Sequence, residues 1–297
     1  MIGAVSTPMM ASLPIDPDLA RWLLSPWLMG LLGLLVGSFL NVVVHRLPLM
    51  MQRAWKCDCA ELLEVDVALP EPITLSTPRS RCPACGHRIA WYENIPVVSW
   101  LALRARCAGC GTRISARYPL VEIATATLFA ACAVHVGAQP QVLLWCGFVA
   151  VLLALALIDF DTQFLPDDLT MPLTWAGVIA AALGWIPTDL ASAVFGAAAG
   201  YLSLWAVARL YQLVRGQEGM AAGDFKLLAA LGAWLGWRLI PSIVLLSSVV
   251  GAAIGIALIL ARRHQRENPI PFGPYLAGGG IAALFFGEPL TRLWFPA

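Results

Sequence analysis

Charge is scarce in this chain. Only 12% of its 297 residues are Asp, Glu, Lys or Arg, and histidine occurs four times. A soluble domain carries about 25% charged residues, so the composition excludes an ordinary water-soluble enzyme. The formal net charge of +1 gives no sign of a nucleic-acid partner. Nothing basic precedes Arg21. The N-terminus therefore lacks the positive region of a secretory signal peptide, and the first apolar run is expected to stay in the mature protein. No Gly-x-Gly-x-x-Gly loop offers a phosphate or nucleotide cradle. Neither a low-complexity tract nor an internal repeat is apparent.

Apolar residues fill the space that charge leaves: they make up 59% of the chain. Runs of roughly 17–25 apolar residues recur along it, the length a bilayer-spanning helix needs. The pattern predicts an all-α polytopic membrane protein. About eight transmembrane helices are expected, near 22–44, 119–136, 141–158, 169–186, 190–214, 226–240, 241–261 and 272–295, and only Pro241 separates the sixth from the seventh. One polar insertion, from His45 to about Tyr118, interrupts them after the first helix. The expected domains are a tail (1–21), the first span (22–44), the inserted domain (45–118) and the remaining bundle (119–297).

Lysine and arginine set the orientation, because they accumulate in cytoplasmic loops. Segments 45–118, 209–226 and 262–266 hold sixteen of the nineteen. Those segments are expected on the inside, which leaves both termini outside (periplasmic in a bacterial inner membrane) and makes the insertion a cytoplasmic domain.

The insertion carries Cys82-Pro-Ala-Cys85-Gly86 and Cys107-Ala-Gly-Cys110-Gly111. Two Cys-x-x-Cys pairs, each followed by glycine, suit a tetrahedral zinc site. The expected ligands are Cys82, Cys85, Cys107 and Cys110. Four protein ligands leave no position for water, so such a site is structural. Cys57 and Cys59 read as surface thiols, and Cys132 and Cys146 as small apolar fillers.

Two carboxylates stand where the apolar pattern makes them costly. Asp159 ends the uncharged run 142–158, and Asp224 precedes the run that begins at Lys226. Ionisable groups at membrane depth mark functional sites by default. Two spans are expected between them, and an even number of crossings returns the chain to its starting face. Both are therefore expected at the cytoplasmic ends of their helices. Two close carboxylates in a low dielectric cannot both ionise and share a proton. One can then deprotonate a water while the other polarises a carbonyl. The same acids also fit a proton-coupled transporter, and the cysteine domain alone fits a zinc-stapled scaffold. Gly219 and Gly223 are expected to let a second chain approach Asp224 closely. Asp161, Asp167, Asp168 and Asp189 read as solvated or helix-capping acids, and Lys226 as an interfacial lysine. Asn41 and His45 are expected to bond the inner end of the first span. Glu122 is read as an interfacial partner for Arg117 or for a basic ligand.

An ordered set of motifs resembles the type IV prepilin peptidase family, also described as prepilin leader peptidase/N-methyltransferase. The segments are Gly37-Ser-Phe-Leu-Asn-Val-Val-Val-His-Arg-Leu-Pro48, the doubled cysteine motif, Glu93-Asn-Ile-Pro96 and Arg117-Tyr-Pro-Leu-Val-Glu122. Ile158-Asp-Phe-Asp161, Leu165-Pro-Asp167, Gly219-Met-Ala-Ala-Gly-Asp-Phe-Lys226 and Pro269-Ile-Pro-Phe-Gly-Pro274 complete it. The resemblance implies a GxGD-type intramembrane aspartic peptidase whose catalytic aspartates are Asp159 and Asp224. It further implies prepilin and pseudopilin substrates, cleavage of a basic leader after glycine at the cytoplasmic face, and methylation of the new N-terminal residue with S-adenosylmethionine. A member with peptidase activity alone is the alternative. Two positions depart from the pattern as read here: Met220, where glycine is expected four places before the aspartate, and Ala105, where many relatives carry glycine.

Overall fold

The computed structural model describes residues 16–65, 71–217, 219–261 and 270–295. Most of the expected N-terminal tail lies outside them, as do Pro70, Glu218, the basic segment 262–266 with His264, and Pro269 of the last motif. Among the described residues the fold is all-helical, apart from two isolated antiparallel bridges, Arg81 with Arg88 and Arg106 with Arg113. Five helices among the described residues are long and apolar enough to cross a membrane.

The chain divides into two units, one comprising Pro17–Ala138 and Trp145–Ala150, the other Gln139–Leu144 and the residues from Val151 onward. In the first unit a short helix, α1 (Pro17–Leu23), precedes α2 (Pro26–Leu62). Ser25 caps α2, accepting the Leu28 amide, and proline occupies its first turn, where a missing N–H costs nothing. The sequence pattern ended this helix near residue 44. Instead it continues through buried Pro48 to Leu62, about 55 Å in all, well beyond the ~30 Å of a hydrocarbon core. The start of the inserted polar segment is thus helical.

After the cysteine segment and the short α3 (Val98–Ala102) comes α4 (Arg117–Val136), which packs along α2. Small residues set that contact. A Cβ on Gly33 would fall 2.6 Å from Ala126 Cα, and one on Gly37 2.7 Å from Glu122 Cα. Asn41 Nδ2 donates to the Tyr118 carbonyl across the same seam, the bonding role the sequence indicated.

The second unit is built on α5 (Gln141–Thr162), α6 (Asp167–Ala182), α7 (Leu190–Arg215), α8 (Ala222–Leu235), α9 (Ile240–Leu260) and α10 (Gly273–Arg292). Its centre is α8. From Asp224 to Trp234 every residue but Lys226 is buried, because α6, α7 and α10 all pack on it. Gly196 of α7 and Gly232 of α8 meet backbone to backbone: a Cβ on either would lie within 2.3 Å of the other's carbonyl oxygen. Gly200 meets the Leu228 carbonyl in the same way. Gly236 ends α8 with a positive φ, and Pro241 falls in the first turn of α9, so the break between these helices comes earlier than the proline alone indicated. At 16 and 14 residues, α6 and α8 are shorter than a full crossing of about 20 residues.

Candidate functional site

Asp159 stands in the last turn of α5. Its carbonyl accepts the amide of Gln163, which turns left-handed and ends the helix. The side chain points inward and is only 5% exposed, whereas Asp161, two residues on, is exposed. Asp224 stands in the first turn of α8 and is 7% exposed. The two are close enough for the charge on Asp159 to act on Asp224.

A third helix end joins them. The amide of Gly273, the first residue of α10, donates to Asp159 Oδ2 at 2.9 Å in a buried contact. A Cβ on Gly273 would lie 2.6 Å from that oxygen, so only glycine admits this approach. The C-terminal end of α5 and the N-terminal ends of α8 and α10 therefore converge. That convergence requires the chain to traverse an even number of helices from each of these ends to the next: α6 and α7 from the end of α5 to the start of α8, then α8 and α9 to the start of α10.

The surroundings of Asp224 correct two expectations. Gly219 and Gly223 were expected to admit a second chain, but their close neighbours belong to this one. A Cβ on Gly223 would meet Leu165 Cβ at 2.7 Å, and one on Gly219 the Tyr211 ring at 2.5 Å. Counted back from Asp224, the first glycine of a Gly-x-Gly-Asp pattern falls at Ala221, not at Met220. Ala221 is extended, with φ −77° and ψ 147°, a conformation any residue adopts, so its methyl group adds no backbone strain.

Lys226 and Asp167 form a contact that local sequence did not reveal. Lys226 Nζ lies 2.7 Å from both carboxylate oxygens of Asp167, which ties the turn after α5 to the first turns of α8. Asp189 does cap α7, accepting the Ser192 amide at 2.9 Å.

In the first unit, the Sγ atoms of Cys82, Cys85, Cys107 and Cys110 all lie within 4.8 Å of one another and can hold a metal ion. The Cys82–Cys110 and Cys85–Cys107 separations are 3.9 and 4.0 Å, close to the edge of about 3.8 Å in a tetrahedron with 2.3 Å zinc–sulfur bonds. Each pair sits on a knuckle closed by paired backbone bonds, Cys82 with Gly86 and His87, Cys107 with Gly111 and Thr112. Gly86 and Gly111 take positive φ, which glycine adopts without steric cost. Amides of Ala84 and Cys85 point at Cys82, and that of Gly109 lies 3.4 Å from Cys107 Sγ. The Ala84 and Cys85 amides favour the thiolate form of Cys82, the form a metal requires.

The knuckles also reveal a repeat that the sequence reading missed. Arg-Cys-Pro-Ala-Cys-Gly-His-Arg-Ile (81–89) recurs as Arg-Cys-Ala-Gly-Cys-Gly-Thr-Arg-Ile (106–114), with the same bridge between its arginines. Glu93 braces the first copy. It accepts the Ala90 amide at 2.8 Å and lies 3.1 Å from His87 Nε2. The Ala90 amide and then His87 hold its carboxyl below the usual range. Cys59 is exposed on α2 as expected, Cys57 is half-buried, and Cys132 and Cys146 are buried.

Glu122, expected at the interface, is not exposed. It is buried in α4 and accepts the Val97 amide at 2.8 Å.

Comparison with known proteins agrees with this architecture. Residues 31–136 match the bacterial peptidase A24 N-terminal domain, and residues 146–256 match the type IV leader peptidase family. A prepilin leader peptidase/N-methyltransferase of Burkholderia pseudomallei is 52% identical over 265 residues, 88% of this chain and 85% of that protein. Proteins of the same description from Pseudomonas aeruginosa and Aeromonas hydrophila are 52% and 50% identical, covering 89% and 91% of this chain and 91% and 94% of theirs. No solved structure matches. With about half the residues identical along most of its length, the chain belongs to the type IV leader peptidase family.

Proposed function

We propose that this chain cleaves the leader peptide from type IV prepilins and type II secretion pseudopilins, with Asp159 and Asp224 as its catalytic pair. The observation that carries the reading is two buried carboxylates, within reach of each other's charge, at one end of a helical bundle. In an enclosed site the pair holds one proton between them. The ionised carboxylate takes a proton from a water, and the hydroxide so formed adds to the carbonyl carbon of the leader's final glycine. The protonated carboxylate donates to the carbonyl oxygen. Collapse of the tetrahedral species breaks the C–N bond, and the amine leaves with a proton from the pair.

The new N-terminal amine is then methylated. S-adenosylmethionine supplies the methyl group when bound, in keeping with the description of the relatives. Zinc on Cys82, Cys85, Cys107 and Cys110 supplies a structural staple for the polar insertion. We further infer that α6, α8 and α10 complete eight crossings with the five longer helices, in the domain order read from the sequence (1–21, 22–44, 45–118 and 119–297). Both termini then face the periplasm, and the converging ends of α5, α8 and α10 face the cytoplasm of a bacterial inner membrane.

The test is a purified chain mixed with a synthetic prepilin and scored by mass spectrometry with and without S-adenosylmethionine. Asp159→Asn and Asp224→Asn should each lower cleavage by at least about 10³-fold, with expression and zinc content unchanged. Normal cleavage by either variant would sink the assignment.

A further inference from the structure

We propose that residues 91–101 form a shallow membrane anchor, seated in the headgroup and upper acyl region of the same leaflet that α4 enters. Three observations converge on this segment.

First, its surface is apolar and uncovered. Trp91 is 81% exposed, and Val98 and Leu101 are each 61% exposed. Trp91 and Tyr92 meet edge to face, with ring centroids 5.8 Å apart. A polar insertion of this size gains nothing from presenting Trp, Tyr, Val and Leu to water. Aromatic rings with a polar edge, backed by aliphatic side chains, are the composition of a membrane interface.

Second, the segment is held at the depth of that interface. The Val97 amide donates to Glu122, which lies five residues into α4. That is about 7 Å along the helix axis. The 20 residues of α4 match the ~30 Å of a hydrocarbon core. Its sixth residue therefore falls about 7 Å inside the acyl boundary, in the upper acyl region. Val97 is tethered there at φ 60° and ψ −48°, an unfavourable conformation for a β-branched residue that persists only where its surroundings impose it. Val98 follows directly and Leu101 lies one helical turn further, so both stay close to that tether.

Third, the flanks are basic. Arg88 precedes the segment, Arg104 and Arg106 follow it, and all three are exposed. They complement the anionic lipid of a cytoplasmic leaflet. The positive-inside pattern accounts for the arginines being in this loop, but not for the exposed aromatic and aliphatic residues between them. A second copy of the chain or a bound peptide would need neither the fixed depth nor the basic flanks.

The proposal rests on α4 crossing the membrane and is independent of the peptidase assignment. The full-length chain would be reconstituted in nanodiscs of phosphatidylethanolamine and phosphatidylglycerol. One phospholipid would carry a diazirine either near the carbonyl end or at the methyl end of its acyl chain, with adducts mapped by mass spectrometry. The shallow probe should label residues 91–101 at least about fivefold more than the deep probe does, while the deep probe labels the middle of α4. Labelling of α4 with none on 91–101 overturns the anchor. So do chain-to-chain cross-links through this segment in the absence of lipid adducts. An α4 that neither probe labels overturns both the anchor and the crossing on which it rests.

Discussion

Gly273 leaves no room for a side chain beside Asp159. Gly273→Ala must push the carboxylate away from its partner, and misplacement by an ångström costs about 10²-fold in rate. Cleavage of a synthetic prepilin should fall by at least that factor while zinc content stays normal. Ala105 presents the opposite case, a methyl group where the backbone is left-handed, at φ 57° after Arg104 at φ 52°. Ala105→Gly removes a steric penalty of roughly 1–2 kcal/mol and gives back part of it as unfolded-chain entropy. The net gain of about 0.5 kcal/mol should raise the thermal midpoint by about 1–2 °C. Asp159 and Asp224 were legible in the sequence because each adjoins a long apolar run. Asp161 was correctly set apart by its position on another helix face. Gly273 and the Asp167–Lys226 pair were not legible, because their meaning lies in contacts with partners 114 and 59 residues away. The glycines around Asp224 misled for a related reason: glycine signals close approach but does not say by what.

At the level of elements, the contact of α7 with α8 depends on the absence of two side chains. Gly232→Ala would drive a methyl group into the Gly196 carbonyl, at 2.1 Å before relaxation. Overpacking of this kind costs about 1–3 kcal/mol, a drop of several degrees in thermal midpoint. Gly278→Ala, where a Cβ meets nothing, is the matched control and should leave the midpoint unlowered or raise it by about a degree or two. The apolar runs identified the helices well, since a uniform hydrophobic stretch has few other outcomes. They misjudged lengths. The polar half of α2 continues as helix because α-helical hydrogen bonding is satisfied within the segment whether lipid or water surrounds it. Conversely, α6 and α8 are shorter than their runs, because Gly184 and Gly236 end them with positive φ.

At the level of the whole chain, stability has two sources: a metal-ready cluster of four thiols and helix packing mediated by small residues. Removing metal with a chelator should raise amide hydrogen exchange across residues 80–89 and 105–114, while α7 and α8 keep their protection. Loss of protection in α8 under the same treatment would contradict a staple confined to the insertion. The doubled cysteine motif was legible because spacing and glycine placement are local. The wider repeat escaped because its two copies differ at the variable positions between the cysteines.

The all-round burial of α8 bears on how the protein is made. A 14-residue helix covered by α6, α7 and α10 has little lipid-facing surface of its own to hold it in the bilayer. During synthesis, Asp224 reaches its final setting only when α10 arrives, and the same arrival delivers the Gly273 amide to Asp159. A nascent chain that has not yet emerged past residue 273 lacks both the cover and the donor. On the proposed assignment, the last helix would arm the active site, and partly translated chains would stay proteolytically silent in the membrane that holds their substrates.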